Sequence, residues 1–436
     1  MTPSGRLAAA IEVLVEVDER HQPIRNALKA WGDRSRFAGA KDRAWVSGLA
    51  LDALRHRRSL AWMIGAETPR GIALAALRLA WGWAVDAIAE AAAGAPHGPG
   101  PLTEEEARAL TGARSIDEAP APVRGDYPDW LEPGLERVFG DDRAGEGAAL
   151  ASRAPVDVRA NTLKGDAARV LKVLEPFGAV ASPVMSNALR LPAPQAAERA
   201  APAEAQPEFA KGWFEVQDLG SQIAAAAAGE IKGKQVMDLC AGGGGKSLAL
   251  AAAMANTGQL HAYDTDARRL SEVITRGQRA GLRNLQTHSP RDREALKALE
   301  GRMDVVFVDA PCTGSGTWRR HPDAKWRLTP AALERRCAEQ AEVLALARPL
   351  VKPGGHLVYV TCSVLAEENE DRIAAFLTEA PEFVVVPALD SVAASGLATD
   401  EGLELLAART TGQGFLRLSP KTAQTDGFFI AVLERR

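Results

Sequence analysis

Two cysteines stand where two predicted strands end. The segment MDVVFVDAPC places Asp309 and Cys312 after one apolar run, and HLVYVTCS places Cys362 after a later one. Because ligands bind beyond the carboxyl ends of strands in a doubly wound sheet, we expect both thiols to face one cleft. A single free cysteine is more often a small buried hydrophobic residue, but two on one rim favour nucleophilic chemistry by a thiolate. Cys240 and Cys337 are expected to serve in packing.

A glycine-rich loop, CAGGGGKS, follows the apolar strand QVMDLC. Three interpretations compete. A dinucleotide-binding G-x-G-x-x-G loop has Ser247 in its third glycine position, and a phosphate-binding G-x-x-x-x-G-K-[ST] loop has Cys240 in its first. The third is the nucleoside-binding loop of a methyltransferase, in which Asp264, at the end of the next strand, binds ribose hydroxyls. The predicted cofactor-binding residues are Cys240, Ala241, Gly242, Gly243, Gly244, Gly245, Lys246, Asp264 and Asp309.

The segment TWRRHPDAKWR, residues 317–327, interleaves cations with two tryptophans directly after the Cys312 loop. Positive charges for phosphates and rings for stacking suit single-stranded RNA, whose target base must be unpaired or flipped out. The alternative is a solvated loop with its tryptophans packed inward. The predicted RNA contacts here are Arg319, Arg320, His321, Lys325 and Trp326.

Length and composition predict two or three domains for the 436 residues. A net charge of −4 argues mildly against nucleic acid, although Arg25 to Arg70 holds ten Lys/Arg against four Asp/Glu. The chain has no long apolar run and no signal-peptide layout at its start, which predicts a cytoplasmic protein without a membrane span. Its four cysteines are far apart, so neither a metal site nor a disulfide is expected.

The chain divides into three predicted regions. Residues 1–120 show helical spacing of apolar residues and read as an all-helical domain. Residues 127–210 suggest a small α/β subdomain, and residues 211–436 alternate strands with helices. Repeated strand–helix units predict an α/β fold with a doubly wound, mostly parallel sheet.

The motifs CAGGGGK, DAPCTGSGTWRRHPDAKW and YVTCS together resemble the Sun (Fmu) family of RNA cytosine-C5 methyltransferases. GWFEVQDLGSQIAA, PVDVRANTLK and DGFFIAVLER extend the resemblance over about residues 130–436. It implies a Rossmann-like class I methyltransferase domain with S-adenosylmethionine as cofactor, preceded by an RNA-recognition-like subdomain. The helical N-terminal region resembles a diverged NusB-like RNA-binding domain, a layout similar to that of the family's bacterial 16S rRNA methyltransferases.

The resemblance also implies roles for single residues. Cys362 attacks C6 of cytosine, Cys312 assists release of the product, and Asp309 hydrogen-bonds the ring. Lys246 is expected to help lower the pKa of the attacking thiol. Arg159 and Asn161, in VRANTLK, are implied RNA-backbone contacts, with a structural role at the strand end as an equal alternative.

The sequence departs from the family pattern at two places. Gly243 stands where the family's glycine loop has a proline. The acid that normally follows the third strand has no clear counterpart, because Pro290 is near the expected position and Asp292 is shifted.

Other classes of function remain open from sequence alone. GGGGKS could belong to a P-loop-like nucleotide hydrolase, although that class explains neither thiol. A noncatalytic RNA-binding ribosome assembly factor is the second alternative. DNA methylation ranks lower, since its nucleophile usually lies in the Pro-Cys motif. The expected partner is RNA, most simply rRNA, and we expect a monomer.

Overall fold

The structure, a computed structural model, describes residues 1–291 and 293–436. It contains two compact units. The helical unit comprises Met1–Ala154, Ala193–Ala200 and Trp318–Leu328, and the α/β unit comprises Pro155–Pro192, Ala201–Thr317 and Thr329–Arg436. No helix within the described ranges is long and apolar enough to cross a membrane.

The helical unit buries apolar residues at helical spacing, as Leu7, Ala10 and Leu14 illustrate on its first helix. That helix begins after Thr2, whose side chain accepts a hydrogen bond from the Gly5 amide. The helices are α1 Pro3–Glu19, α2 Ile24–Arg34, α3 Ala40–Arg55, α4 Arg57–Ile64, α5 Pro69–Ala75, α6 Val85–Ala93, α7 Glu104–Thr111, α8 Ala121–Arg124, α9 Glu132–Phe139 and α10 Arg143–Ala151.

The helical region thus continues beyond the boundary expected near residue 120. The proline-containing stretch interrupts the helices but not their packing. Asp126, which is 2% exposed, accepts hydrogen bonds from the amides of Arg58 and Ser59 at 2.9 and 3.0 Å. These amides lie in the first turn of α4, where backbone donors lack partners within the helix. Asp126 therefore fastens the stretch to α4.

A four-stranded antiparallel sheet opens the α/β unit, in the order β2-β3-β1-β4. Its strands are β1 Val156–Ala160, β2 Val180–Ala181, β3 Ala188–Leu191 and β4 Phe214–Val216, and its helices are α11 Ala167–Leu174 and α12 Pro207–Ala210. β1 and β3 were expected as strands, whereas β4 lies in the segment assigned by sequence to the next domain. Val158 of β1 pairs with Val216, so the small sheet extends beyond residue 210.

The large sheet has the order β10-β12-β9-β8-β5-β6-β7, with β11 beside β12. Its strands are β5 Gln235–Asp238, β6 Gln259–Tyr263, β7 Leu285–His288, β8 Met303–Asp309, β9 Val351–Thr361, β10 Phe383–Val386, β11 Leu416–Leu418 and β12 Phe428–Arg435. The helices in this part of the chain are α13 Leu219–Ala226, α14 Gly245–Ala253, α15 Ala267–Ala280, α16 Arg293–Lys297, α17 Pro322–Arg327, α18 Pro330–Ala347, α19 Glu370–Glu379, α20 Ala388–Ala394, α21 Asp400–Ala407 and α22 Pro420–Ala423.

This topology confirms the predicted doubly wound, mostly parallel sheet. β7, β6, β5, β8 and β9 pair in parallel in that order, and β12 is antiparallel to both β9 and β10. The chain moves outward from β5 on one side and from β8 on the other, so the strand order reverses between them. A ligand crevice is expected at the carboxyl ends of these two strands. α17 is the exception among the later helices, because it belongs to the helical unit.

Candidate active site

The two strand-end thiols meet in the α/β unit. Cys312 Sγ and Cys362 Sγ are 3.4 Å apart, within reach of an S–H···S hydrogen bond. Cys362 directly follows β9, and Cys312 lies three residues beyond the end of the neighbouring parallel strand β8. Both side chains are partly buried. Parallel pairing of β8 with β9 is what places these distant residues on one rim.

A close backbone approach fixes the loop that carries Cys312. The Gly316 amide donates to the Cys362 carbonyl at 2.9 Å, and the Gly427 amide donates to the Gly316 carbonyl at 2.8 Å. A Cβ on Gly316 would lie 2.1 Å from the Gly427 carbonyl oxygen. Only glycine therefore permits this approach between the Cys312 loop and the start of β12.

An ion pair lies at the same rim. Lys246 Nζ, on the first turn of α14, is 2.7 Å from Asp309 Oδ2 at the end of β8. Burial alone would lower the pKa of the Lys246 amine, but the charge and hydrogen bond of Asp309 outweigh it and raise that pKa. The thiolate of Cys362 acts in the same direction. Lys246 is thus a permanent cation placed to stabilise negative charge on Cys362 and Asp309.

The glycine loop closes on itself and on Asp264. Gly242 and Gly244 adopt positive φ angles of 54° and 85°, and the Gly242 amide donates to Asp264 Oδ2 at 2.8 Å. The amides of Ala241 and Gly244 donate to carbonyl oxygens of the protein at 2.9 and 2.8 Å. Three amides that a phosphate-binding loop would offer to its ligand are therefore already bonded within the protein.

The electrostatics of the crevice favour a cation over a polyphosphate. Asp238, Asp264 and Asp309 lie at or directly beyond the carboxyl ends of β5, β6 and β8. Asp238 is fully buried; Ser247 donates to its Oδ2 at 2.6 Å, while its Oδ1 has no partner among the described residues. Burial raises the pKa of Asp238 to about 7. A ligand with a sulfonium cation and ribose hydroxyls matches these carboxylates in charge and in hydrogen bonding. The negative charges of a nucleoside triphosphate would be repelled by them.

The cationic segment that was expected to bind RNA is largely buried inside the helical unit. Lys325 is 1% exposed and donates to the Arg55 carbonyl at 2.8 Å, and Trp326 donates to the Leu54 carbonyl at 2.7 Å. Burial lowers the pKa of Lys325 to about 8. Arg319 is also buried and its carbonyl accepts a hydrogen bond from the Arg55 guanidinium. Of the five predicted contacts, Arg320 is half-buried and His321 is exposed.

Arg159 and Asn161 are buried as well, each 3% exposed. Arg159 Nε donates to Gln217 Oε1 at 2.7 Å, and Gln217 in turn contacts the carbonyl of Gly245 at 3.3 Å. Asn161 Nδ2 donates to the carbonyls of Gly212 and Ala280, both at 2.8 Å. These contacts favour the structural alternative for both residues. They connect the small sheet to the glycine loop and to α15.

Sequence reasoning missed two residues that organise the site. Glu368 is fully buried and accepts hydrogen bonds from the loops after both thiols. Arg276 donates to the Gly243 carbonyl at 2.6 Å, so α15 supports the glycine at the family's proline position. Neither residue stands out in its acidic or basic helical segment. The shifted acid Asp292 lies outside the described residues.

Comparison with known proteins agrees with this geometry. Residues 228–434 match the family model described as 16S rRNA methyltransferase RsmB/F. This part, just under half of the chain, is similar to that family. The match confirms the fold class and the cofactor, S-adenosylmethionine, that were expected from sequence.

Three similar proteins illustrate the extent of the likeness. Ribosomal RNA small subunit methyltransferase B of Salmonella typhi is 35% identical over 258 residues, which are 59% of this chain and 58% of the relative. The chain thus spans less than two thirds of that curated relative. The crystal structure of PH0851 covers 100% of this chain and 99% of its own, with 25% identity and a TM-score of 0.72. A methyltransferase homolog from Pyrococcus horikoshii covers 74% and 100%, with 26% identity and a TM-score of 0.59.

Proposed function

We propose that the protein is an RNA methyltransferase that transfers a methyl group from S-adenosylmethionine to carbon 5 of a cytosine, in small-subunit rRNA. The observation that carries the proposal is the 3.4 Å contact between Cys312 and Cys362, beside the Lys246–Asp309 ion pair. Two thiols serve a reaction in which one forms a covalent bond to the base and the other assists its release. The name of the Salmonella relative supports rRNA as the substrate.

The chain's own residues can be assigned to the steps. The Cys362 thiolate forms a bond to C6 of the cytosine, and the displaced electron pair moves into the ring. Asp309 accepts a hydrogen bond from the exocyclic amine of the cytosine, and the Lys246 ammonium stabilises the negative charge that develops in the ring. When bound, S-adenosylmethionine supplies the electrophilic methyl group to the activated C5.

Release reverses the addition. C5 gives up its proton to a base, and the bond between C6 and Cys362 breaks, with its electrons returning to sulfur. Cys312, whose sulfur touches that of Cys362, is placed to assist this step. The cofactor would be held by the glycine loop, with Asp264 toward the ribose hydroxyls and Asp309 toward the reacting groups.

A groove in the helical unit supports RNA as the substrate. It has a volume of about 590 Å³, within the usual range of ligand sites. The guanidinium groups of Arg57, Arg58 and Arg114 line it together with the rings of Trp62 and Trp326. Arg57 pairs with Asp18 at 2.5 Å and Arg58 with Asp129 at 2.6 Å, and Arg114 is exposed at the groove. Arginines beside half-buried tryptophan rings suit a phosphate backbone and its bases.

The test is the identity of the product. The full chain is incubated with S-adenosylmethionine labelled in its methyl group and with small-subunit rRNA transcribed in vitro, which carries no modifications. Digestion to nucleosides should yield labelled 5-methylcytidine, and DNA of the same sequence should remain unlabelled. Label in another nucleoside, or only in DNA, would contradict the proposal.

The nucleotide-hydrolase alternative has its own test. Calorimetry of the full chain with S-adenosylhomocysteine should give saturable binding, and titration with ATP and Mg²⁺ should not. The reverse result would favour a hydrolase, against the acidic crevice and the internally bonded loop amides.

A further inference from the structure

A single buried carboxylate lies between the two loops that carry the thiols. Glu368 ends the short helical turn Ala366–Glu368 and its side chain has no solvent exposure. It accepts from the Thr313 amide at 2.7 Å, from Thr313 Oγ1 at 2.5 Å and from Gln340 Nε2 at 3.1 Å. Ser363 Oγ also donates to it. Four donors on one carboxylate form the pattern of an ionised acid, which accepts through both oxygens, and they act against the burial that raises the pKa of Glu368.

These hydrogen bonds involve the neighbours of both thiols. Thr313 directly follows Cys312, and Ser363 directly follows Cys362. Glu368 therefore joins the loops after two neighbouring strands through a single carboxylate. Losing such a carboxylate would leave four buried donors without their acceptor, a costly change in a low-dielectric interior.

Other side chains hold the same network in place. Gln340 Nε2 also donates to the Pro311 carbonyl at 2.9 Å. The Ser315 and Ser363 hydroxyls are 2.9 Å apart, and the Val364 amide donates to Ser315 Oγ at 2.9 Å. Tyr359 donates from its hydroxyl to the Glu368 backbone carbonyl at 2.7 Å. The carboxylate is thus the end point of a chain of donors that runs along both loops.

The charges around the two sulfur atoms are unequal. Cys312 faces Cys362, Tyr359 and the Glu368 carboxylate. The hydrogen bond to Cys362, burial and the negative charges of Cys362 and Glu368 raise the pKa of the Cys312 thiol well above its ordinary value, although a hydrogen bond from the Gly314 amide acts in the opposite direction. Cys362 faces the Lys246 ammonium, whose pKa is in turn raised by the Cys362 thiolate. One sulfur is therefore surrounded by groups that oppose ionisation, and the other has a cation close by.

We propose that Glu368 is a positioning residue that clamps the two thiol loops together and keeps Cys312 protonated, which leaves Cys362 as the nucleophile. This inference rests on the proposed function, and it identifies Glu368 as the residue that gives the two thiols their different roles. Glu368 touches neither sulfur through a hydrogen bond. It acts through Thr313, through Ser363 and through its charge.

The decisive experiment compares thiol reactivity in the full chain and its E368Q variant, without RNA or cofactor. Iodoacetamide labelling is followed against pH, and peptides containing Cys312 and Cys362 are separated by mass spectrometry. In the unchanged protein, Cys312 should be alkylated only at high pH, and more slowly than Cys362 at pH 8. Removing the negative charge should lower the pKa of Cys312 and speed its alkylation about tenfold at pH 8, as a fall of about one pKa unit implies.

The matched control is E379Q, which removes the same charge from an exposed position on α19 and should change neither thiol. E368D provides a second arm, because it keeps the charge but is too short to reach both loops. It should keep Cys312 slow to alkylate while single-turnover methyl transfer falls about tenfold or more. The proposal is overturned if the pH dependence of Cys312 alkylation in E368Q equals that of the unchanged protein. It is also overturned if E368D shifts this pH dependence as much as E368Q does.

Failure of the proposed function is recognised separately. A protein that transfers no methyl group to rRNA but retains the E368Q effect on Cys312 would remove the substrate assignment and keep Glu368 as the group that sets thiol reactivity. For methyl transfer itself, E368Q should lower kcat more than it changes KM for RNA, since Glu368 lies under the thiols and away from solvent.

Discussion

The segment Trp318–Leu328 begins six residues after Cys312. It differs from the Cys312–Cys362 pair in what its side chains contact. Both contain residue types that could act on RNA, thiols in the pair and cations with tryptophans in the segment. At the pair, the reactive atoms meet each other, with Lys246 and Asp309 beside them. In the segment, the polar atoms of Lys325 and Trp326 end on backbone carbonyls of α3.

The comparison teaches that the partner of a side chain, more than its type, separates function from scaffolding. A backbone carbonyl that accepts from Lys325 satisfies a buried polar group and leaves the amine little capacity for a ligand. A sulfur that contacts another sulfur gains a hydrogen bond yet remains a nucleophile. Lys325 and the Trp326 ring nitrogen therefore fasten the segment to the helical unit, and the arginines of the groove that Trp326 also lines become the stronger candidates for RNA.

The largest effect should come from replacing each of the two thiols in turn with alanine. Cys362→Ala removes the nucleophile and should abolish both methyl transfer and the covalent RNA adduct. Cys312→Ala keeps the nucleophile but loses the sulfur that assists release, so the adduct should accumulate. Denaturing gels of protein incubated with labelled rRNA and S-adenosylmethionine would reveal it as a slowly migrating band.

A control and a contradicting outcome follow from the same gel. Cys337→Ala removes the α18 thiol, which donates to the Glu367 carbonyl at 3.4 Å, and should behave as the unchanged protein. An adduct trapped by Cys362→Ala in place of Cys312→Ala would exchange the two roles. Loss of methyl transfer in both variants with no trapped adduct would contradict separate roles for the two thiols. The contact between them would then serve only the structure of the site.

The sequence predicts the edge of the sheet at which the two thiols lie, but not the buried side chains that fix the loops there. Apolar runs predict β5, β8 and β9, and parallel pairing then brings Cys312 to Cys362 without further information. Glu368 could not be predicted, because AEENED contains four acids and only the tertiary fold turns one of them inward. The burial of Lys325, which the sequence placed among the RNA contacts, could not be predicted for a related reason, since it depends on a helical unit formed by residues far earlier in the chain.

A smaller effect should come from the groove of the helical unit. Arg114 is exposed and lines the groove, so Arg114→Ala should weaken binding of a single-stranded rRNA fragment about three- to tenfold at low salt. The salt dependence should fall by about one unit of slope, as loss of one phosphate contact implies. Fluorescence anisotropy of a labelled fragment measures both, and the rate at saturating RNA should not change.

Arg36, another exposed arginine of the helical unit, supplies the control. Arg36→Ala makes the same change in net charge outside the groove and should reduce affinity less. Equal losses of RNA affinity in Arg114→Ala and Arg36→Ala would mean that binding depends on net charge. The groove would then not be the RNA-binding site.

The smallest effect concerns Lys325 and depends on pH. Burial lowers the pKa of Lys325 to about 8 in the folded protein, from about 10.4 in an unfolded chain. Between these values the unfolded chain binds more protons, so the contribution of Lys325 to stability rises with pH and is least favourable below pH 8. Relative to Lys325→Met, the unchanged protein should gain about 2 kcal/mol between pH 7.5 and 9.5, or a few degrees in Tm.

Lys41→Met provides the matched comparison, because Lys41 is exposed in the same unit. Its Tm should run parallel to that of the unchanged protein across this pH range. If Lys325→Met also ran parallel, the Lys325 amine would be titrating as a solvated group. The segment Trp318–Leu328 would then present its cations to solvent, and its first interpretation as an RNA-binding surface would regain support over the groove.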